Sequence, residues 1–331
     1  MSKQQDNNSQ YIIPAPSYNS INVNQCSNLK LLLDKYVKFY NPKGDKKISF
    51  FSEINKAKSE VYTNFKNSIN KNREAIEQLL NIINTRQKNI SDYSFKLKTK
   101  SRLIVGLGSG SVLEVSIKLH HIYGIPYIPS SAIKGVLRAF KLLEFVDWNK
   151  YKFSVISEIV ENYSFNNFEK LKDKVIKNLN KDNELKNKYI KEDVEKDELV
   201  SIKADLLKFV ENLKEDKIKD IVNIFGNQQQ KGNFIILDAY PEKLPYLEKD
   251  IMNVHYPNYY AGEEPPADNQ NPNPIIFLTI KKETNFNFYF KNSEIYKKIF
   301  EKDIKEDLKN AFETIGIGAK TALGYGILGI T

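Results

Sequence analysis

The sequence predicts an α+β protein, with an antiparallel sheet flanked by helices, a large helical insert and a helical N-terminal segment. Three observations carry this. Over residues 93–107 apolar residues alternate with a period of two, as in a half-buried strand. Before that run, and again well after it, apolar residues recur every three or four positions, as on one face of a helix. From residue 93 onward the order is strand, strand, helix, helical insert, strands, helix, strand. That order is compatible with an elaborated ferredoxin-like βαββαβ sheet.

Taken along the chain, residues 1–27 are polar, Asn-rich and interrupted by Pro14 and Pro16, and read as a flexible tail without a core. Residues 28–92 read as helical, with Leu32, Leu33 and Tyr36, then Phe51 and Ile54, then Ile76, Leu79, Leu80 and Ile83 in register. The main domain spans 93–331. Its first strand places Phe95, Leu97, Thr99, Ser101, Leu103, Val105 and Leu107 on one face and Lys96, Lys98, Lys100 and Arg102 on the other. After GLGSG, Leu113, Val115, Ile117 and Leu119 alternate with Glu114, Ser116, Lys118 and His120, so the two runs predict a hairpin. Pro126 and Pro129 end the extended chain, and Ser130 or Ser131 is placed to cap a helix. Ile133, Val136, Leu137, Phe140 and Leu143 form its apolar stripe, with Lys134, Arg138 and Lys141 on its other side.

Residues 147–222 read as a helical insert, and with 16 Lys against 17 Asp and Glu it is close to neutral. Residues 91–145 carry eight basic and three acidic residues, so the basic excess sits on the hairpin and its helix. Further strands fall at 234–237, 275–280 and 286–290, the last two read as a pair. The loop NVHYPNYYAGEEPPADNQNPNP before them is long enough to suggest a working or unstructured segment. A charged helix over 292–314, the run GIGAKTALGYG at 316–326 and a short strand over 327–330 complete the chain.

Fifty basic against 41 acidic residues in a 331-residue chain leave a net charge of +9, which favours a polyanionic partner, nucleic acid ahead of a membrane surface. Cys26, the single cysteine, excludes an intramolecular disulfide, and no Cys/His spacing suits a structural zinc. The start MSKQQDNNSQ has no apolar core and no stretch is long enough to span a bilayer, so the expectation is a soluble, cytoplasmic protein. Three histidines leave little material for His-based catalysis, whereas 19 Tyr and 19 Phe supply many flat faces. Binding is favoured over chemistry.

GIGAKTALGYG is not a Walker A loop, because Ala319 precedes Lys320, and it is not a Rossmann fingerprint, because Thr321 stands at the third Gly. GLGSGS fails in the same way at Ser111. What survives is a loop whose N–H groups, Lys320 and the Thr321 hydroxyl suit an RNA backbone, against a purely structural turn. The lysines of the first strand lie about 7 Å apart, near the phosphate spacing of an extended nucleic acid, against lysines that guard an edge strand. The Lys134, Arg138 and Lys141 stripe lies near a helix start that favours anions, against a solvated face. In the long loop His255, Tyr256, Tyr259 and Tyr260 suit base stacking, worth ~1–3 kcal/mol per base. Phe286, Phe288 and Phe290 read as core. His121 falls on the apolar face of its strand, while His120 lies on the polar face and can reach RNA. Asp238, Asp250 and Asp268 are scattered singles, no nucleophile motif occurs, and no metal or cofactor is expected.

Together GLGSGSVLEVSIKLHHIYGIPYIPSSAIKGVLR (106–138), IFGNQQQKGNFIILDAYPEK (224–243), HYPNYY (255–260), NPIIFLTI (273–280) and GIGAKTALGYG resemble the RAMP superfamily of CRISPR proteins. Within it they are similar to the family of sixth subunits of Cmr, type III-B, effector complexes. The resemblance implies an RRM-related ferredoxin-like fold with a glycine-rich loop before the last strand, and a non-catalytic subunit that binds guide and target RNA. It also implies an end cap on the backbone RAMP filament toward the guide's 3′ end, beside the first Cmr subunit and the small helical subunit. Ser130, Ser131, Lys134 and Arg138 match the family's Y-[IL]-P-G-S-[SA]-[LI]-K-G-x-[LI]-R element, with Ser130 where the family has Gly. Gly316, Gly318, Lys320, Thr321, Gly324, Tyr325 and Gly326 match its glycine-rich loop. The rival expectation is a RAMP endoribonuclease using His120 or His255 with Lys or Tyr as acid and base.

Overall fold

The computed structural model describes residues 9–11, 28–34, 38–40, 50–108, 115–254, 265 and 273–330. Along them run β1 (Ser9–Tyr11), α1 (Leu29–Asp34), β2 (Lys38–Tyr40), α2 (Phe50–Ile90), β3 (Tyr93–Thr99) and α3 (Ser130–Phe145). The insert follows as α4 (Lys150–Asn162), α5 (Phe168–Leu179), α6 (Lys196–Glu211) and α7 (Glu215–Phe225), with short helical turns over Asp182–Glu184 and Leu185–Ile190. Then come β4 (Ile235–Ile236), β5 (Tyr240–Pro241), β6 (Leu247–Val254), β7 (Asn273–Ile280), β8 (Asn285–Lys291), α8 (Ser293–Phe300), α9 (Ile304–Thr314) and β9 (Leu328–Gly329).

The α+β expectation holds, and the strands are antiparallel. The main sheet has the order β4-β8-β3-β9, with β5 on the same edge of β8 as β4. Its centre is the β3–β8 ladder, in which Phe95 faces Phe288 and Leu97 faces Phe286. Phe95 stacks on Phe288 and Phe290 with centroids 5.9 and 5.3 Å apart, and Phe234 stacks on Phe290 at 5.7 Å. Phe286, Phe288 and Phe290 are fully buried, as core phenylalanines should be. Each such ring removes enough apolar surface from water to contribute about 2–3 kcal/mol.

Helices cover both faces of this sheet. On the phenylalanine side lie α3 and α9, with Phe312 5.7 Å from Phe288. Across the other side runs α2, burying Tyr62, Ile69, Ile76, Leu80 and Ile83 at spacings of three, four and seven. Polar contacts seat it: Tyr289 donates to Asn84 (3.2 Å), Asn84 donates to the Pro241 carbonyl (3.1 Å) and Arg73 donates to the Leu244 carbonyl (2.8 Å). The strand face carrying Lys96 and Lys98 is therefore roofed by a helix rather than open.

Several expectations need correction. The first strand stops at Thr99 instead of running to 107, because residues 100–103 step from one sheet to the other. Lys100 donates to the Ile327 carbonyl (2.8 Å), and Leu103 exchanges two bonds with Ile280 (3.0 and 2.7 Å). Leu103, Ile104 and Val105 are consequently buried in succession, without alternation. The expected hairpin shrinks to two backbone bonds, Lys118 to Val105 (2.7 Å) and Ser116 to Leu107 (3.4 Å), and residues 109–114 lie outside the described set. The strand over 275–280 pairs with β6, which the sequence did not betray, rather than with β8, whose two edges are already occupied. The helix expected over 292–314 is two helices. Glu301 breaks it with φ 53°, and Asp303 caps α9 by accepting from the Lys305 amide (2.7 Å).

That break turns α9 so that Asp307 reaches Lys141 of α3. The stripe reading placed Lys141 in water, but its side chain is 6% exposed and its ammonium donates to Asp307 (3.0 Å) and Glu144 (2.6 Å). Tyr296 donates to the same Asp307 oxygen (2.7 Å), and burial first, then Asp307, drives its pKa far upward. Leu142 rather than Leu143 takes the adjacent buried position.

The segment before β9 is docked by its own amides. Ala319 donates to the Ile104 carbonyl (2.8 Å), Gly326 to the Arg102 carbonyl (2.9 Å) and Ile317 to the Gly326 carbonyl (2.9 Å). A Cβ on Gly318 (φ 95°) would stand 2.2 Å from the Ile104 oxygen, and one on Gly326 (φ 73°) 1.9 Å from the Ile317 oxygen. At Gly324 (φ 84°) it would meet open space.

Two outcomes follow for chemical denaturation of the full chain. Asp307→Ala strands the Lys141 ammonium and should cost about 3–5 kcal/mol, most of it regained when Lys141→Met is combined with Asp307→Leu. Gly318→Ala should cost about 2–3 kcal/mol, whereas Gly324→Ala carries only the left-handed backbone penalty of about 1 kcal/mol. Equal costs at the two glycines would contradict the docking of the loop on residues 102–105.

Candidate nucleic-acid interface

The glycine-rich segment arranges a small cationic cluster. Thr321–Leu323 forms a 3₁₀ turn between left-handed Lys320 and Gly324, closed by Leu323 and Gly324 amides that donate to Lys320 and Thr321 (both 2.9 Å). The amides of Lys320, Thr321 and Ala322, which start the turn, have no acceptor among the described residues. Gly324 spends its amide inside the loop, on Thr321, and Gly326 spends its own on the Arg102 carbonyl. The anion-ready backbone is thus the 320–322 turn, narrower than the whole glycine run, while Gly318 and Gly326 serve loop docking. Gly316 (φ 77°) acts within the loop, where an added Cβ would stand 2.8 Å from the Thr321 methyl carbon.

Beside the turn, Arg102 pairs with Asp250 of β6 (2.7 Å) and lies over the Tyr325 ring (5.4 Å). Tyr325 hydrogen-bonds the same carboxylate, and its pKa is raised by burial and then by Asp250. Lys320 lies over the Phe277 ring at 5.4 Å and has no ion pair among the described residues. Asp250, a scattered single in the sequence, is the group that orients this corner.

A second cluster forms at the start of α3. Neither serine caps the helix. Pro129 occupies the N-cap and Asp238 accepts from the Ser130 amide (2.7 Å), so Ser131 is left exposed. Lys134 is half-buried, and desolvation, then the charge of Lys231, lowers its pKa. Lys231 comes from the turn 226–232 and was not singled out in the sequence, although it lies within the quoted segment 224–243. Lys134 and exposed Lys231 are near enough for like-charge repulsion, and neither has a carboxylate partner among the described residues.

The histidine expectation is inverted. His121 is exposed, whereas His120 is half-buried, stacked on Tyr123 (4.5 Å) and edge-on to Tyr127 (5.6 Å). Its Nδ1 accepts from the Ile122 and Tyr123 amides (both 3.3 Å). Burial, then His121, lowers its pKa, with Asp238 opposing. The neutral ring therefore carries its proton on Nε2, which can donate to an acceptor but offers no free lone pair for a general base. Residues 116–120 run between the two clusters, Lys118 lying against Gly106 and Val105.

The other expected cations divide by pairing. Lys96 pairs with Glu242 (2.5 Å), Lys98 with Glu283 (3.2 Å) and Arg138 with Glu161 (3.0 Å), so neither the strand face nor the helix stripe is a continuous free row. Lys100 is exposed and, among the described residues, unpaired. His255 and Tyr256, with Tyr259 and Tyr260, lie outside the described residues. Among those described, no group of three or more His, Cys, Asp or Glu is placed to hold a metal, and no helix is long and apolar enough to cross a membrane.

The chain is 37% identical over 246 residues to the CRISPR system Cmr subunit Cmr6 of Pyrococcus furiosus, covering 70% of this chain and 66% of that protein. It is 33% identical over 119 residues to the corresponding Cmr6 protein of Saccharolobus solfataricus, covering 34% and 38%. Both alignments thus span less than two thirds of the relative's length. The crystal structure of P. furiosus Cmr6 superposes over 72% of this chain and 97% of its own, at 34% identity and a TM-score of 0.35. The profile of the RAMP superfamily matches residues 96–328, from the main-sheet strand β3 to the closing strand β9, and so takes in both clusters. By that match the chain belongs to the RAMP superfamily.

Proposed function

We propose that this chain is a non-catalytic RNA-binding subunit of a Cmr-type (type III-B) CRISPR ribonucleoprotein in antiviral defence. In this reading it caps the backbone RAMP filament toward the 3′ end of the guide RNA, beside the first Cmr subunit and the small helical subunit, and helps hold guide and target. The observation that carries the RNA reading is the partition of cations. Lys96, Lys98, Arg102, Arg138 and Lys141 have carboxylate partners, while Lys134 and Lys231 at one cluster and Lys320 at the other have none among the described residues. Paired cations hold the fold together, and unpaired ones beside free amides suit a polyanion. Contacts of this kind read the backbone and leave sequence to base pairing by the guide.

The 37% identity to P. furiosus Cmr6 supports the place in a Cmr assembly. The strand order supports the RRM-related reading of the fold: taking β4 and β5 as one strand, the sheet runs second, third, first, fourth, which is the ferredoxin-like arrangement. The bonding of His120 speaks against that residue as the base of an endoribonuclease, while His255, the other histidine of that alternative, lies outside the described residues.

With a fluorescent guide RNA, the triple variant Lys134→Ala, Lys231→Ala, Lys320→Ala should lower the slope of log K against log salt by about 2, at roughly 0.7 per single-strand phosphate contact. An unchanged slope would mean that these lysines meet protein instead. The tagged chain, purified from its native host with nuclease-protected RNA sequenced, should bring guide RNA together with other complex subunits. A double variant His120→Ala, His255→Ala should leave RNA processing in that host untouched, and loss of processing would favour the endoribonuclease.

A further inference from the structure

A groove of about 580 Å³ opens at the far end of α3, where its last turn meets α7 and the turn between α8 and α9. Its floor is apolar, built from Phe145, Ile221, Ile299 and Phe300. Trp148, the only tryptophan of the chain, lines it, 48% exposed and edge-on to Phe140 at 5.9 Å. Two successive left-handed residues, Asp147 (φ 48°) and Trp148 (φ 59°), put the indole there, and left-handed Glu301 (φ 53°) lies on the opposite rim. Each such residue costs about 1 kcal/mol or more. The turn closes α3, with the Asp147 and Trp148 amides donating to the Glu144 and Leu143 carbonyls (3.2 and 2.8 Å), and in doing so it leaves a large aromatic half in water.

The rim charge is unbalanced. Lys141, Glu144 and Lys302 satisfy one another and Asp307, at 2.6 to 3.0 Å. What is left is Asp147, Asp220 and Glu301 against Lys217, and none of these four has an ion pair among the described residues. Three carboxylates against one ammonium repel RNA and attract a cation. The groove also lies at the opposite end of the 16-residue α3 from Ser131 and Lys134, roughly 20 Å away at about 1.5 Å per residue.

We propose that this groove receives an arginine-bearing segment of a neighbouring protein chain, with the guanidinium over the Trp148 indole and bonded to the rim carboxylates. Lys141 already holds its ammonium over the Phe300 ring while pairing with Asp307 and Glu144. A planar guanidinium, however, lies flat on the wider indole while its in-plane N–H groups fork onto two carboxylate oxygens, a match that a point-charge ammonium makes less well. An aromatic anchor inside a charged rim is also the usual make-up of an interface hot spot. The assignment stands independently of the RNA reading.

Because Trp148 is the only indole, the intrinsic fluorescence of the full-length protein reports on the groove directly. Titration with the blocked peptide acetyl-Leu-Arg-Leu-amide should give a saturable change in emission. The citrulline peptide, equal in shape and uncharged, should bind at least about tenfold more weakly, as should the arginine peptide to the Asp220→Asn, Glu301→Gln variant. If that variant melts at a lower temperature, Glu301→Gln alone serves, with an expected weakening of about threefold. No saturable change up to about 10 mM peptide, or equal affinity for the two peptides, overturns the assignment. So does a matching response to a short RNA oligonucleotide, since it would make the groove a nucleic-acid site.

Discussion

Lys141 and Asp307 can be buried together but not apart. Their 3.0 Å contact, with Asp307 at 1% side-chain exposure, joins α3 to α9 beneath the phenylalanine face of the sheet. Glu144 and Lys302 extend the pair to the surface, and Tyr296 donates to its carboxylate. A buried ion pair is a weak source of net stability but a strong source of registry, since any slip of one helix leaves an unpaired charge in apolar surroundings. Here the registry has consequences at both ends of α3. At its start, where Asp238 accepts from the Ser130 amide, half-buried Lys134 feels the charge of Lys231. At its finish, Trp148 and the rim carboxylates surround an apolar groove. One helix, held at two points, sets out two surfaces of opposite charge.

The sheet supplies a second constraint. With α2 across one face and α3 and α9 across the other, both faces of the main sheet are covered among the described residues. The amides and cations that the ladder does not consume lie in loops and at helix ends. The glycine-rich segment is the main example. Most of its glycines let the chain lie directly on residues 102–105, and only the 320–322 turn keeps its amides outward. The same docking places Tyr325 and Arg102 around Asp250, and both bond its carboxylate.

The RAMP superfamily match runs from β3 to β9, so the small sheet and the elaborations between its strands fall within one family match. The helical insert fits this description too. Its helices pack through Ile156, Ile159, Val160, Leu206, Val210 and Ile218, and its near-neutral charge is absorbed by internal pairs such as Lys152 with Asp205 and Lys188 with Glu158. Through α7 it furnishes one wall of the acidic groove, which gives the insert a part in the surface that faces away from the start of α3.

The linear sequence by itself determined the α+β class, the strand character of residues 93–99 and 286–290, the helical insert and the core place of Phe286, Phe288 and Phe290. Each of these follows from local periodicity, which burial must respect. It also marked the glycine-rich segment, because a run of that composition cannot form an ordinary helix or strand. The tertiary structure alone decided which strands pair, where Lys96, Lys98 and Arg138 find carboxylates, and that Lys141 is core while Lys231 joins Lys134. Those outcomes depend on residues far apart in the chain meeting in space. The period of a strand says which side chains share a face but not what lies across from them, and the worth of a charge is set by what lies across from it.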